Sequence, residues 1–177
     1  MQINEAIDLI RGGVIKKEGV WADLGAGTGL FTQALQAILE EGKVYAVDKS
    51  PHALWRLDRH EQVPMEIVEA DFSKPLDLPP LDGIIMANAL HYIEEPLSVL
   101  SHLLPLLKPG GQFILLEYET TQPNPPWIPY PIPSQRFHQI AEQAGLSSPQ
   151  EIGRIASRYG HNHIYAASCR VKGLLTL

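Results

Sequence analysis

The chain has 177 residues, a length suited to one domain with a sizeable core, and its 45% hydrophobic and 19% charged residues fit a globular rather than a disordered chain. No apolar run approaches the roughly 18 residues of a membrane helix. The acidic opening segment excludes a secretory signal, and the lone Cys169 excludes an internal disulfide or a thiolate metal cluster, so a cytoplasmic protein is expected.

Charge is unevenly spread: residues 1–133 hold 9 basic and 18 acidic side chains, residues 134–177 hold 5 basic and 2 acidic. That balance excludes the broad basic field of a nucleic-acid binder. Arg154, Arg158, Arg170 and Lys172 form either a small anion patch or, as the better reading, a solvated sheet edge that resists pairing.

In chain order, Ile3, Ala6, Ile7 and Ile10 recur at helical spacing, and Gly12-Gly13 is expected to stop that helix. Residues 20–24 read as a short buried strand ending at a glycine-rich turn. From Thr28, the positions Leu30, Phe31, Ala34, Leu35, Ile38 and Leu39 mark a helix that Gly42 should end. Strand two covers 44–47, and Ser50-Pro51 should open another helix, serine as cap and proline as first residue. Strand three covers 65–68 and strand four 84–87. A helix from Pro96 to Leu107, broken by Lys108-Pro109-Gly110-Gly111, precedes strand five at 113–116.

After the proline-rich stretch 123–133, a helix around Phe137, Ile140, Ala141 and Ala144 leads to strand-like segments 152–159 and 164–171. The short link 160–162 permits only an antiparallel hairpin. Strand and helix alternate, and the strands are continuously apolar. The expected fold is therefore α/β: a Rossmann-like, doubly wound, mostly parallel sheet of seven strands closed by that hairpin, in a single domain over 1–177.

The segment Asp23-Leu24-Gly25-Ala26-Gly27-Thr28-Gly29 carries the strongest chemical signal. Glycines let the main chain turn sharply and approach a ligand, and a helix N-terminus offers free N–H groups, so a nucleotide-type cofactor is implied. Asp48 ends strand two within reach of ribose hydroxyls, and Asp71 ends strand three on the same carboxyl edge of the sheet. A nicotinamide dehydrogenase needs G-x-G-x-x-G, but Leu30 stands where the third glycine would fall.

On these motifs, together with Ala87-Asn88-Ala89-Leu90-His91-Tyr92 and Leu107-Lys108-Pro109-Gly110-Gly111, the chain resembles class I S-adenosylmethionine-dependent methyltransferases of the small-molecule type, related to the ubiquinone and menaquinone biosynthesis enzymes. The resemblance implies S-adenosylmethionine as cofactor and a small-molecule substrate, while charge, hydropathy and the lack of a ligand cluster argue against nucleic acid, membrane and metal. By resemblance, Gly25, Ala26, Gly27 and Gly29 contact the cofactor with Asp23 behind them, Asp48 grips the ribose, Asp71 meets the adenine amino group, and Phe72 lies along the ring. Ala87 and Asn88, with Tyr92 and Trp127, are placed near the sulfonium. His91 and Tyr92 are the candidate catalytic residues, with positioning favoured over general-base work for His91.

Three departures bear on the substrate: a short N-terminal leader, no evident helix between strands three and four, and Tyr92 in place of a second histidine. Asn124-Pro125-Pro126-Trp127 spells an amino-methylating motif but follows strand five rather than strand four, so it reads as a stiff loop. Trp127 and Tyr130 on that loop form either one wall of an apolar acceptor pocket or a packing surface. His161 and His163 read as solvated edge residues because further metal ligands are lacking nearby. The alternative to a working enzyme is a non-catalytic cofactor-binding or scaffold protein that keeps the fold.

Overall fold

Strands that are apolar on both faces need cover on both sides, and helices flanking a parallel sheet supply it. The computed structural model, which describes residues 1–58, 60–157 and 163–172, has this arrangement. Its strands are β1 (Glu18–Leu24), β2 (Glu41–Asp48), β3 (Met65–Glu69), β4 (Leu81–Ala87), β5 (Leu107–Tyr118), β6 (Gln150–Ala156) and β7 (His163–Arg170). They form one sheet in the order β3-β2-β1-β4-β5-β7-β6. The first five are parallel, and β7 runs antiparallel between β5 and β6. Arg158, the link 160–162 and His161 lie outside the described residues.

Side chains alternate across the pleat. Trp21, Ile85 and Ile114 therefore point to one face, where α1 (Ile3–Ile10) and α2 (Leu30–Ile38) pack with Ala6, Ile10, Phe31 and Leu35. Leu24, Ile84, Met86 and Phe113 point to the other, under α3 (Pro96–Leu103) and α4 (Ser134–Gln143) with Leu100, Leu103 and Phe137. β6, at the edge, carries Arg154 in ion pairs with Glu119 and Glu151 at 3.0 and 2.7 Å, in keeping with a solvated edge. Among the described residues, no helix is long and apolar enough to cross a membrane.

Three expected boundaries move. The segment after Ser50 is a 3-10 helix, Pro51–Arg56, rather than an α-helix. Its apolar residues Pro51, Leu54 and Leu57 recur every third position, which is the 3-10 period and not the α period. α3 ends at Leu103, before the Pro-Gly-Gly segment, because Pro105 lacks an N–H and clashes with the turn behind it. Residues 108–111 instead arch out of the start of β5: Leu107 pairs with Leu81, and Gln112 pairs next, with Gly83.

Gly42 does not end α2, which stops at Ile38; it lies inside β2 opposite Gly19. Its φ is +132°, and a Cβ there would sit 1.9 Å from the Gly19 carbonyl oxygen. Gly110 also has positive φ, +75°, but faces open space. Gly110→Ala should therefore cost only the torsional penalty, about 1–2 kcal/mol, whereas Gly42→Ala adds a backbone collision and should cost more, above about 3 kcal/mol. Urea unfolding of the two variants measures the difference.

Candidate functional site

Beyond β1 the chain moves outward to β2 and β3, then returns to place β4 on the other side of β1. Such a reversal leaves a crevice at the carboxyl ends of the central strands. The glycine turn fills its floor. The N–H groups of Gly25 and Ala26 both donate to the Val47 carbonyl, at 2.9 and 3.0 Å, which binds the turn to β2. Gly25, Gly27 and Gly29 take φ values of +77°, +56° and +81°, a region that favours glycine. A Cβ on Gly25 would lie 2.8 Å from that of Ala89, so the bare α-carbon lets the tip of β4 close against the turn.

Asp48, at the tip of β2, holds the turn from the side. Its Oδ2 accepts the Gly27 N–H at 2.8 Å and its Oδ1 the Ser50 N–H at 2.8 Å. The Asp48 carboxylate, and not the Ser50 side chain, thus serves the start of the 3-10 segment. Each carboxylate oxygen keeps a second lone pair, so Asp48 retains two acceptor positions for ligand hydroxyls. Asp71 beyond β3 accepts the Ser73 N–H at 2.9 Å, and hydrogen bonding by Ser73 keeps its carboxyl below the usual range.

These groups share one cavity of about 740 Å³. The expected residues Gly25, Ala26, Gly27, Asp48, Asp71, Phe72, Ala87, Asn88 and Tyr92 all line it. Its size and its mixture of apolar wall with a few polar groups suit a cofactor-sized ligand. Thr28, Leu30, Phe31, Lys49, Ser73 and Ile93 also line it, although only Thr28 and Leu30, next to the glycine turn, had a sequence signal pointing there. A separate cavity of about 530 Å³ lies between α3 and α4, with a largely apolar wall.

Asp23, Gly29 and His91 stand behind the cleft. Asp23 is buried and accepts the Thr32 hydroxyl at 2.7 Å, pinning α2 to β1. Gly29 begins α2 and makes room for Leu54 and Leu57. The His91 ring is buried against Glu117, with Nδ1 at 2.6 Å from Oε2, while the neighbouring Tyr92 is 50% exposed and faces the cleft. Glu117 had a legible signal, an acid ending the apolar run 113–116, but its role appears only in three dimensions.

Asn88 borders two spaces. It has φ +51°, and its Oδ1 is buried with no hydrogen-bond partner among the described residues. With Leu30 and Phe31 it lines both the main cleft and a smaller cavity of about 150 Å³ bounded by Met1, Tyr118, Ile155 and Ile164. The proline-rich loop lines neither: Trp127 is 69% exposed, and the Tyr130 hydroxyl donates to Glu94 at 3.3 Å. The loop is tied to the site segment through its main chain, where the Tyr130 N–H donates to the His91 carbonyl at 3.0 Å.

Comparison with known proteins bears on this arrangement. Residues 22–113, just over half of the chain, match the family model for a methyltransferase domain. A demethylmenaquinone methyltransferase of Clavibacter sepedonicus is 36% identical over 103 residues, 55% of this chain and 40% of that protein. An uncharacterized chloroplastic methyltransferase of Arabidopsis thaliana is 25% identical over 126 residues, 66% of this chain and 36% of that protein. The chain thus spans less than half the length of these curated relatives.

Among solved structures, 1,6-didemethyltoxoflavin-N1-methyltransferase of Burkholderia thailandensis, with bound 1,6-didemethyltoxoflavin and S-adenosylhomocysteine, superposes with a TM-score of 0.70 at 19% identity, covering 96% of this chain and 78% of that one. A SAM-dependent methyltransferase of Aquifex aeolicus gives 0.70 at 20% identity, covering 92% and 87%. At such identities the likeness shows the fold.

Burial pushes the Asp23 carboxyl up from 3.8 to about 6, with the Thr32 hydrogen bonds opposing and the Asp48 charge adding. The folded state therefore holds this proton more tightly than the unfolded chain. Stability is highest below the unfolded value and falls as pH rises from about 4 to about 6, by roughly 3 kcal/mol for this group. Asp23→Asn keeps an acceptor for Thr32 and removes the titration. Its stability advantage over the wild type, followed by urea unfolding across pH 4 to 7, should grow up to about pH 6 and then level off.

Proposed function

We propose, from the premise that the chain belongs to the methyltransferase-domain family, that it binds S-adenosylmethionine in the strand-tip cleft and transfers its methyl group to a small-molecule acceptor. One observation carries this reading: the glycine turn, Asp48, Asp71 and the tip of β4 all line a single cavity. Asp48 receives the ribose hydroxyls on the lone pairs its main-chain partners leave open, and Phe72 with Asp71 receives the adenine. Gly25, Ala26 and Gly27 on one side and Ala87 with Asn88 on the other receive the amino-acid half. Asp23 and Gly29 act from behind, fixing the turn and α2. The orphaned Oδ1 of Asn88, beside this half of the cleft, fits a site completed by a bound donor.

When bound, the cofactor would supply a sulfonium methyl: the S–CH3 bond would break as an acceptor lone pair takes the methyl in line, leaving S-adenosylhomocysteine, with the acceptor's proton released to solvent. The protein supplies alignment and exclusion of water, and positioning of this kind is worth on the order of 7–11 kcal/mol. The half-exposed Tyr92 is the side chain of the 87–92 segment available to orient an acceptor hydroxyl or amine. His91, turned to Glu117, positions that segment. The acceptor is assigned to the cavity of about 150 Å³ that shares the lining residues Leu30, Phe31 and Asn88 with the cleft. Its volume suits a single ring, since an apolar cavity of about 150 Å³ accommodates benzene.

Calorimetry tests the cofactor. S-adenosylmethionine and S-adenosylhomocysteine should bind and raise the melting temperature, NAD should do neither, and Asp48→Ala should lose about 1.5–3 kcal/mol of affinity. Stabilisation by NAD alone, or normal affinity in Asp48→Ala, would overturn the assignment.

Ile155→Trp tests the acceptor site, because the indole fills the small cavity. In methyl-transfer screens of single-ring phenols and amines it should abolish turnover while leaving S-adenosylhomocysteine affinity within about twofold. A wild-type protein that binds cofactor but methylates none of them would favour the scaffold reading.

A further inference from the structure

A buried carboxylate is costly unless every partner is in place, and an apolar residue of similar volume would serve the fold as well or better. Glu117 is such a residue. It sits on β5 with its side chain 1% exposed, and the facing His91 side chain is 2% exposed. Both carboxylate oxygens are spent on that one neighbour: Oε1 accepts the His91 main-chain N–H at 3.1 Å, and Oε2 faces Nδ1 at 2.6 Å. Two bonds to the main chain and ring of one residue fix both its position and its rotamer.

What they fix is the wall of the cleft. His91 lies in the segment from Ala87 to Tyr92, whose residues 87, 88, 89 and 92 line the cavity. The His91 ring rests 4.4 Å from that of Tyr92, and its carbonyl accepts the Tyr130 N–H. The same segment is anchored at its other end by Asn88, whose N–H donates to the Leu116 carbonyl at 2.9 Å, and Asn88 holds a left-handed φ of +51°, a conformation asparagine tolerates better than most side chains. The last residue of the apolar run in β5, Leu116, and the acid that follows it, Glu117, thus clamp both ends of one turn.

We infer that Glu117 is a positioning residue, acting through His91, that holds the 87–92 segment in the shape required by the amino-acid half of the cofactor and leaves the adenosine half untouched. The inference rests on the cofactor reading above and adds a division of labour: residues at the tips of β2 and β3 bind adenosine on their own, whereas the homocysteine half is recognised only when the Glu117–His91 pair is formed. A residue that merely stabilises the fold would affect both halves alike.

The experiment compares two ligands by calorimetry, S-adenosylhomocysteine and 5′-methylthioadenosine, which shares the adenosine but lacks the amino-acid end. In Glu117→Gln, S-adenosylhomocysteine affinity should fall about tenfold or more, while 5′-methylthioadenosine affinity stays within about twofold, with the far-ultraviolet spectrum unchanged. Equal losses for both ligands, or none for either, would overturn the inference. If Glu117→Gln does not fold, His91→Gln is read on the same two ligands. It keeps the main-chain bond to Glu117, so a selective but smaller loss supports the inference and a uniform one refutes it. Failure of the wild type to bind S-adenosylhomocysteine at all would instead strike at the cofactor reading.

Discussion

The hydrogen bond from the Gly27 N–H to the Asp48 carboxylate joins the two strands on which the site is built. A turn of alternating glycines has many conformations open to it, and the entropy of selecting one is large. The Val47 carbonyl fixes the first half of the turn, and Asp48 fixes the second while also receiving the Ser50 N–H. One carboxylate therefore sets both the glycine turn and the start of the 3-10 segment while it lines the cleft. Asp48 at the tip of β2 organises the protein before it meets a ligand.

Polar groups that the core could do without gather at the carboxyl ends of the strands. Asp23 with Thr32, Glu117 with His91, and the left-handed Asn88 with its unpartnered Oδ1 all lie within a few residues of the tips of β1, β4 and β5. Toward the middle of the sheet the same strands carry Ile84, Ile85, Met86, Phe113, Ile114 and Leu115, apolar on both faces. A fold stabilised by apolar burial thus accepts desolvated carboxylates and an unpartnered amide oxygen along one edge. That is where local agreement between sequence and structure is expected to give way to the demands of a site.

The elements legible in the sequence share a physical basis: their signal is local. Continuous apolar runs marked the strands, alternate glycines marked the turn, and Asp48 and Asp71 could be placed because an acid directly after a parallel strand has to emerge at its carboxyl edge. Boundaries that depended on competition were read less well. Gly42 suggested a helix stop because a glycine after an apolar stripe usually is one, yet it is needed where β1 and β2 approach at Gly19. Pro105, already inside the apolar run of α3, ended that helix before the Pro-Gly-Gly segment could.

The sequence by itself determined the parallel α/β architecture, the glycine turn and the acids at the strand tips, because each follows from the chemistry of residues adjacent in the chain. Only the tertiary structure decided how the candidate residues divide. Tyr92 faces the cleft while His91, one position away, turns inward, because a carboxyl group 26 residues later bonds both its main-chain N–H and its ring. Trp127 points outward, and the small cavity beside the cleft is walled by Met1, Phe31, Tyr118, Ile155 and Ile164 from five separate parts of the chain. A wall of that kind leaves no trace in local spacing, since what brings its residues together is the closing of the sheet.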